Sequence, residues 1–190
     1  QTVQIRSAST ILFDENDYTY VPTYGNGVLF STDFGDTWTE LNNNLGYKYV
    51  RAIAKNNNRY LFTGGDYGIY KMDVFNAYAY WYSVGLPICS VKKIQIDPYN
   101  NILAGVWGVN RSFNGGQNWE TINNGLSGFD VRALTLKEDG TIFLGSSISN
   151  WAYPNPCIFR STDNGNSWVE IENGIQRHDV EAITIDAAGN

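Results

Sequence analysis

The sequence contains one histidine and two cysteines in 190 residues. The only histidine is His178. A metal site built from several histidines is therefore improbable, and so is a catalytic triad, which needs a histidine beside a serine and an aspartate. The run Asp14-Glu15-Asn16-Asp17 is acidic, but it lacks the ligand spacing of a dedicated calcium loop, which favours a solvated turn. We therefore predict neither a metal ion nor a cofactor.

Positive charge and long apolar stretches are also scarce. Lys and Arg number 13 against 19 Asp and Glu, so the net charge is −6, and the absence of a basic run argues against a nucleic-acid partner. No stretch approaches the ~18 apolar residues that a membrane-spanning helix needs. Low lysine, abundant Asn, Tyr and Thr and a start at Gln1 favour an extracellular, cell-surface or periplasmic location.

Glycine and aromatic residues are plentiful, with 19 Gly and 15% aromatics, and they recur in a pattern. An octet of the form Ser-x-Asp/Asn-x-Gly-x-x-Trp occurs three times. Its fixed positions are Ser31, Asp33, Gly35 and Trp38; Ser112, Asn114, Gly116 and Trp119; and Ser161, Asp163, Gly165 and Trp168. This spacing predicts a tight hairpin. The Asp or Asn side chain accepts N–H groups two or three residues on, and Gly supplies a positive φ. The Trp begins the returning strand and buries its ring between layers.

Four tryptophans, at positions 38, 81, 119 and 168, divide the chain into repeats of about 40 residues, each of which contains four short predicted strands, A to D. The predicted A strands cover 8–13, 50–55, 91–96, 131–136 and 180–185, and the predicted C strands cover 27–31, 68–72, 108–112 and 157–161. Such repeats are typical of β-propeller blades. The predicted fold is therefore all-β, with antiparallel four-stranded blades over about 8–45, 50–86, 91–126 and 131–175, and the first strand of a fifth over 180–185. We expect part of a larger propeller; closure of four blades on themselves is the alternative.

The second repeat departs from the octet. Lys71-Met72-Asp73 occupies the Ser-x-Asp slot, but Trp81 follows Asp73 by eight residues and no Gly intervenes. We expect a longer hairpin there with a different turn.

The octets at 31–38, 112–119 and 161–168 resemble the Asp-box, or BNR, repeat. That repeat occurs in sialidases, two-propeller endo-xyloglucanases, sortilin-like receptors and photosystem II stability-factor-like propellers. The resemblance extends over practically the whole chain as a repeat pattern. It implies a propeller in which each box is a structural turn remote from the functional face, and it implies no single activity.

The strand order predicts where function would lie. In an A-B-C-D meander the A–B and C–D turns share one end, and the B–C and D–A connections share the other, here called the upper end. Aromatic residues recur in the B–C loops, beginning with Tyr24, and charged residues recur where strand A opens, ending with Glu181. The candidate binding residues are Arg51, Asp66, Tyr67, Lys92, Trp107, Arg132, Trp151 and Tyr153. The alternative is that the aromatics wedge between blades and the cations pair with Asp66, Asp130 and Asp179.

These features favour a non-catalytic binding or interaction propeller whose upper loops take a glycan or a protein. Open blade edges would also allow self-association. The alternative is a glycoside hydrolase of sialidase or xyloglucanase type, completed by blades outside this chain. Paired carboxylates would then be needed about 5–10 Å apart, and only Asp66 and Asp130 are candidates at the upper end. The sialidase signature Phe/Tyr-Arg-Ile-Pro is absent.

Both cysteines, Cys89 and Cys157, fall at the predicted upper end. A disulfide between neighbouring blades is one hypothesis, consistent with an extracytoplasmic location. Two separate buried thiols are the other.

Overall fold

The computed structural model describes residues 7–57, 59–76, 78–86, 89–127, 130–147, 158–171, 174 and 179–186. These residues form sixteen β-strands arranged as four antiparallel four-stranded sheets, and none of them lies in a helix. The predicted all-β class with four-stranded antiparallel blades is therefore confirmed. The chain divides into two compact units, 1–94 and 95–190, and each is described separately.

Unit 1 contains two complete meanders. The first comprises β1 Leu12–Phe13, β2 Thr19–Thr23, β3 Gly27–Ser31 and β4 Thr39–Glu40. The second comprises β5 Val50–Lys55, β6 Tyr60–Gly65, β7 Gly68–Asp73 and β8 Tyr82–Ser83. In both sheets the spatial order follows the chain order, as a meander of short hairpins requires.

Unit 2 repeats this pattern, and the boundary between the units falls within β9. Its first meander comprises β9 Lys93–Ile96, β10 Ile102–Val106, β11 Gly108–Ser112 and β12 Glu120–Thr121. Its second comprises β13 Val131–Leu136, β14 Ile142–Ser146, β15 Ile158–Ser161 and β16 Val169–Glu170.

Each unit has a hydrophobic core in which the two sheets meet. The core of unit 1 consists of Tyr20, Val28, Leu45, Tyr47, Val50, Ile53, Leu61, Met72 and Trp81. The core of unit 2 consists of Leu103, Val109, Ile122, Leu126, Val131, Leu134, Ile142, Leu144, Phe159 and Trp168. A strand contributes residues two apart to its core, as β14 does with Ile142 and Leu144, because alternate side chains share one face of a strand.

Two predicted first strands differ from the structure. In the first blade the ladder covers only Leu12–Phe13, with an isolated bridge from Ala8 to Thr23, rather than the whole of 8–13. Residues 180–185 are not assigned to a strand; Val180 donates its N–H to the Ser146 carbonyl at 3.1 Å. A strand is defined by its ladder, and residues 181–185 have no ladder partner within the described part of the chain.

The serine hydroxyl is the centre of each octet turn. Ser31 donates to Asp33 Oδ1 at 2.7 Å and accepts the N–H of Gly35 at 2.9 Å. The same two bonds measure 3.1 and 2.9 Å at Ser112, and 2.8 and 2.8 Å at Ser161. All three serines are buried. Three separate turns therefore use one hydrogen-bond pattern.

The acid or amide of each octet binds further along the chain than the sequence predicted. Asp33 Oδ1 accepts the N–H of Thr37, four residues on, at 2.9 Å, and its Oδ2 accepts the Thr37 hydroxyl at 2.5 Å. The predicted reach of two or three residues is wrong. Two successive residues, Phe34 and Gly35, have positive φ values of 59° and 96°, and this bend brings the fourth N–H back to the carboxylate.

These bonds stabilise the charged form of the carboxylate. The Thr37 hydroxyl and N–H, with Ser31, lower the pKa of Asp33 to about 2. The hydroxyl and N–H of Ser167, with Ser161, lower the pKa of Asp163 to about 2 in the same way. Each of these two aspartates is thus an ionised turn-former.

The tryptophans differ in burial. Trp81 and Trp168 are 0% and 4% exposed, and each donates its indole N–H to the preceding blade, to the carbonyls of Leu41 at 2.6 Å and Ile122 at 2.7 Å. Trp38 and Trp119 are only half-buried. The predicted burial between layers therefore holds for the second blade of each unit, because there the first blade supplies the covering surface and the acceptor.

The second hairpin is longer than the octets, as predicted, but the alignment of its residues needs correction. Counting from the glycines that open β7 and β11, Met72 and not Lys71 takes the place of Ser112. Met72 is 1% exposed, so an apolar side chain fills the position where the octets have their buried hydroxyl. The turn must therefore be built by other residues.

Candidate functional site

Two tyrosines meet at the upper end of unit 1. Tyr24 lies between β2 and β3, Tyr49 directly precedes β5, and the two residues form an isolated antiparallel bridge. Their ring centroids are 4.7 Å apart, yet Tyr24 and Tyr49 remain 42% and 47% exposed. The pair therefore presents aromatic surface to solvent while its backbone is fixed.

An ion pair lies beside these rings. Arg51 Nε donates to Asp66 Oδ1 at 3.1 Å, and the Ser90 hydroxyl donates to the same oxygen at 3.1 Å. The Arg51 guanidinium also stands over the Tyr24 ring, 5.0 Å from its centroid. Both charged side chains are about one-third exposed. The pairing that the sequence left as an alternative is thus present, and it positions the arginine against an exposed aromatic face.

Tyr67 extends this surface. It is 58% exposed and packs against Tyr47, with ring centroids 5.5 Å apart. Tyr47 is buried and donates its hydroxyl to the Gly68 carbonyl at 3.0 Å, and burial raises its pKa. Tyr47 therefore serves as a fixed support for the exposed ring. We call Tyr24, Tyr49, Tyr67 and Tyr47, with Arg51 and Asp66, the upper tyrosine row.

The sequence prediction named Tyr67, Arg51 and Asp66 and noted Tyr24, but it missed Tyr47 and Tyr49. Both missed residues lie in the connection from the first blade to the second, which ends at the upper end by the same strand-order argument that located the B–C loops. The signal was the presence of two tyrosines in the last three residues before β5, in a connection that ends at the upper end.

Unit 2 carries a smaller version of this arrangement. Trp107 is 71% exposed and forms an isolated bridge with Asp130. Arg132 pairs with Asp130 through Nε at 2.9 Å and with Glu181 through Nη1 at 3.4 Å. The hydrogen bond from Arg132 to Asp130, with the neighbouring carboxylates, raises the pKa of the guanidinium. An exposed aromatic again stands beside an arginine–aspartate pair.

The other candidate residues contribute less. Lys92 is half-buried at the start of the third blade, and Cys89, also half-buried, accepts the Gly68 N–H through its carbonyl at 3.1 Å. Trp151, Tyr153 and Cys157 lie outside the described residues, so the predicted insertion site and the disulfide hypothesis stay predictions. Among the described residues, no group of three or more His, Cys, Asp or Glu side chains could hold a metal ion.

The acidic run near the N-terminus forms a hydrogen-bonded turn. Asp14 Oδ1 accepts the N–H groups of Asn16 at 2.9 Å and Tyr18 at 3.0 Å, and its Oδ2 lies 3.5 Å from Lys55 Nζ. The Asp14 side chain is 2% exposed. The predicted turn is present, but its first carboxylate is buried and not solvated, because Lys55 and two backbone N–H groups take up its oxygens.

The upper end offers groups that can contact a polar ligand. Exposed aromatic faces can stack on ring C–H groups, and adjacent arginine and carboxylate groups can exchange hydrogen bonds with a polar ligand. The two candidate carboxylates, Asp66 and Asp130, each form an ion pair with an arginine of their own unit. In unit 2 Arg132 also contacts Glu181, so its guanidinium lies between two carboxylates.

The four-stranded antiparallel sheets define the chain as a β-propeller protein, and solved structures agree. An ancestral GH74 enzyme matches 86% of this chain at 23% identity with a TM-score of 0.69. The extracellular domain of BT4673 from B. thetaiotaomicron matches 100% of it at 13% identity with a TM-score of 0.77. YCF48 bound to D1 peptide matches 98% at 16% identity with a TM-score of 0.64. At these identities the likeness concerns the fold.

This chain covers 24% of the GH74 enzyme, 26% of the BT4673 domain and 60% of YCF48. It therefore spans about a quarter of the length of the first two structures. No protein-family model matches the chain, and no curated protein matches it significantly. Within the described residues, no helical segment has the length and hydropathy needed to cross a bilayer.

Proposed function

We propose that this propeller is a non-catalytic binding module whose upper end recognises a glycan or a protein partner, with a glycan favoured. The observation that carries the proposal is the upper tyrosine row. In it, Tyr24 and Tyr49 are linked to the Arg51–Asp66 pair by contacts of 3.1–5.0 Å. Tyr67 directly follows Asp66 in the chain and packs on Tyr47 at 5.5 Å. Single exposed aromatics are normal on protein surfaces, but a connected set beside fixed polar groups is typical of a binding surface.

The row has the two kinds of group that a sugar needs. Exposed faces of Tyr24, Tyr49 and Tyr67 offer stacking surface for pyranose C–H groups, and tyrosine loses little side-chain entropy on binding. Arg51 donates and Asp66 accepts, so both hydrogen-bonding roles of a hydroxyl group are served. The ion pair also holds these two side chains in place before a ligand arrives, which reduces the cost of ordering them.

A glycan array followed by calorimetric titration of the strongest glycan tests this proposal. Tyr24→Ala and Tyr67→Ala should each weaken binding at least tenfold, a loss of about 1.4 kcal/mol. Tyr99→Ala is the matched control, since Tyr99 is 79% exposed and lies in the turn between β9 and β10; it should bind as the unsubstituted protein does. Equal affinity for all three variants would exclude the tyrosine row as the site. If no glycan on the array binds, and one protein partner binds in a way that Tyr24→Ala and Tyr67→Ala weaken, the ligand is a protein and not a glycan.

We further propose that the octet turns are Asp-boxes and that the protein acts outside the cytoplasm. The first part is supported by three turns with one serine-centred hydrogen-bond pattern. The second is supported by composition and by neighbours such as the extracellular domain of BT4673. Fractionation of the native host with antibody detection tests the location, and a purely cytoplasmic signal would refute it.

A glycoside hydrolase is the second candidate, because GH74 enzymes are among the similar structures. In this chain the candidate carboxylate at the upper end of unit 1, Asp66, accepts from both Arg51 and Ser90. The test is an assay of the full-length protein on β-glucans and sialosides with Asp66→Ala as the variant. If the protein hydrolyses one of these substrates and Asp66→Ala abolishes that activity, the hydrolase replaces the binding module as the proposed function. No hydrolysis of any substrate agrees with the binding module.

A further inference from the structure

Blade 2 has a cleft at the end opposite the upper tyrosine row. Its volume is about 280 Å³, and its lining residues are Tyr60, Asp73, Asn76, Tyr80 and Tyr82. Tyr60 opens β6, Asp73 closes β7 and Tyr82 opens β8. In the ladders Tyr60 pairs with Asp73, and Lys71 pairs with Tyr82. The cleft therefore lies where three neighbouring strands meet the long hairpin between β7 and β8.

The exceptional hairpin builds this cleft. From Met72, in the serine position, to Trp81 is nine residues, whereas Ser31 to Trp38 is seven. In place of the serine-centred turn, Asp73 Oδ1 accepts the N–H of Phe75 and Asn76 Oδ1 accepts the N–H of Tyr78, each at 3.0 Å. These two Asx turns take the place of the octet turn in this hairpin, which brings Asn76 and Tyr80 to the cleft.

Two of the aromatic walls are fixed at an angle. The rings of Tyr80 and Tyr82 have centroids 6.2 Å apart with an interplanar angle of 56°. They are 44% and 38% exposed, so each offers one face or edge to the cleft. Burial, with the nearby Tyr60, Asp73 and Tyr80, raises the pKa of Tyr82, and its hydroxyl remains a neutral donor.

The charges around the cleft disfavour a cationic ligand. Arg59 Nε donates to Asp73 Oδ1 at 2.8 Å, and this bond lowers the pKa of the carboxyl group. Lys71 Nζ stands 3.8 Å from the centroid of the Tyr60 ring. A quaternary ammonium ligand would bind to a carboxylate and an aromatic face. Here Arg59 already pairs with Asp73 and Lys71 already lies over the Tyr60 ring.

We propose that this cleft binds a single neutral pyranose ring of a glycan. Its volume lies just below the roughly 300–1,000 Å³ of sites for drug-sized ligands, which suits one sugar ring. The angled tyrosines supply stacking surface, while tyrosine hydroxyls and the Asn76 amide supply donors and acceptors for sugar hydroxyls. The site differs from the upper tyrosine row in position and residues, so it adds a second contact for a glycan and does not depend on the first.

Calorimetry and ligand-observed NMR on the intact chain test this proposal, with methyl β-D-glucopyranoside, methyl β-D-galactopyranoside and methyl α-D-mannopyranoside as probes. At least one probe should bind, and Tyr82→Ala and Tyr80→Ala should each weaken it at least tenfold. Tyr80→Phe should stay within threefold, because it keeps the ring. Tyr78→Ala is the matched control, since Tyr78 is 81% exposed on the same loop without lining the cleft; it should leave binding unchanged.

Three results would overturn the proposal. They are no binding of any of the three glycosides, binding that both alanine variants retain, and tighter binding of choline than of any glycoside. Tyr67→Ala separates the two sites, because it should weaken binding at the upper row and leave this cleft unaffected. A far-UV circular dichroism melt of each variant establishes that the hairpin still folds.

Discussion

Replacing Trp168 with alanine tests the contact between the two blades of unit 2. Trp168 is 4% exposed, belongs to the hydrophobic core of that unit and donates its indole N–H to the Ile122 carbonyl at 2.7 Å. Its backbone N–H donates to the Asn124 carbonyl at 2.9 Å, a bond that alanine retains. The substitution therefore removes the ring and one side-chain hydrogen bond without changing the backbone.

Truncation of a buried tryptophan to alanine costs about 3–5 kcal/mol, since the lost transfer free energy is joined by the cost of a cavity. Trp168→Phe refills most of the cavity but leaves the Ile122 carbonyl without its donor, at a cost of about 1–3 kcal/mol. Trp38 occupies the same octet position but is half-buried. Trp38→Ala should therefore cost less, about 1–2 kcal/mol, in proportion to the smaller area removed from contact.

Urea titration followed by far-UV circular dichroism measures these differences. With a slope of roughly 1–3 kcal/mol per molar in urea, Trp168→Ala should lower the midpoint by about 1–5 M. Trp168→Phe and Trp38→Ala should each lower it less. Equal midpoints for Trp168→Ala and Trp38→Ala would refute the assignment of Trp168 to an interblade core. An unchanged midpoint for Trp168→Phe would refute a stabilising role for the indole hydrogen bond.

Two further predictions concern the turns. Ser167 holds the folded-state pKa of Asp163 at about 2, below its ordinary 3.8. The stability that the ionised Asp163 carboxylate contributes is therefore complete above about pH 4 and is lost as the pH falls towards 2. Asp163→Asn should flatten the dependence of the melting temperature on pH in that window, as Asn114 forms the same turn without a charge; an unaltered acid profile would contradict this. Gly125 and Gly174 have φ values of 91° and 85°. A Cβ at Gly125 would overlap the Trp168 carbonyl of the next blade, whereas at Gly174 none of the described residues lies within 4 Å of it. Gly174→Ala should lower the free energy of unfolding by about 1–2 kcal/mol, because alanine disfavours a positive φ. Gly125→Ala should lower it further, because of the added overlap. Equal melting temperatures for the two variants would show that the backbone around Trp168 moves to accept the Cβ.

The strands that pack on both faces were the most predictable part of the fold. The structure assigns 50–55, 131–136, 27–31 and 108–112 with the bounds that the sequence indicated. Glycine marks the start of the last two, and runs of apolar and β-branched residues mark the first two, so the signals are local. The first strand of blade 1 and residues 180–185 were harder to predict, because pairing in a ladder depends on the neighbouring chain segment.

The candidate site could be predicted only in part. Strand order located the upper end and named Arg51, Asp66 and Tyr67, of which the first two are in direct contact. It missed Tyr47 and Tyr49, since it searched the B–C loops for aromatics and passed over the connection between blades. The pairing of Arg51 with Asp66 depends on the ladder between β5 and β6, and the sequence alone left it open as an alternative.

The sequence by itself determined the repeat, the four-stranded meanders and the turns, because hairpins are local structures that a few residues encode. Only the tertiary structure decided which octet tryptophans are buried, since burial depends on a neighbouring blade that supplies cover and a carbonyl acceptor. It also decided that the irregular hairpin of blade 2 encloses a cleft. That outcome required Tyr60, Asp73 and Tyr82, which are distant in sequence, to be brought together by two ladders of one sheet.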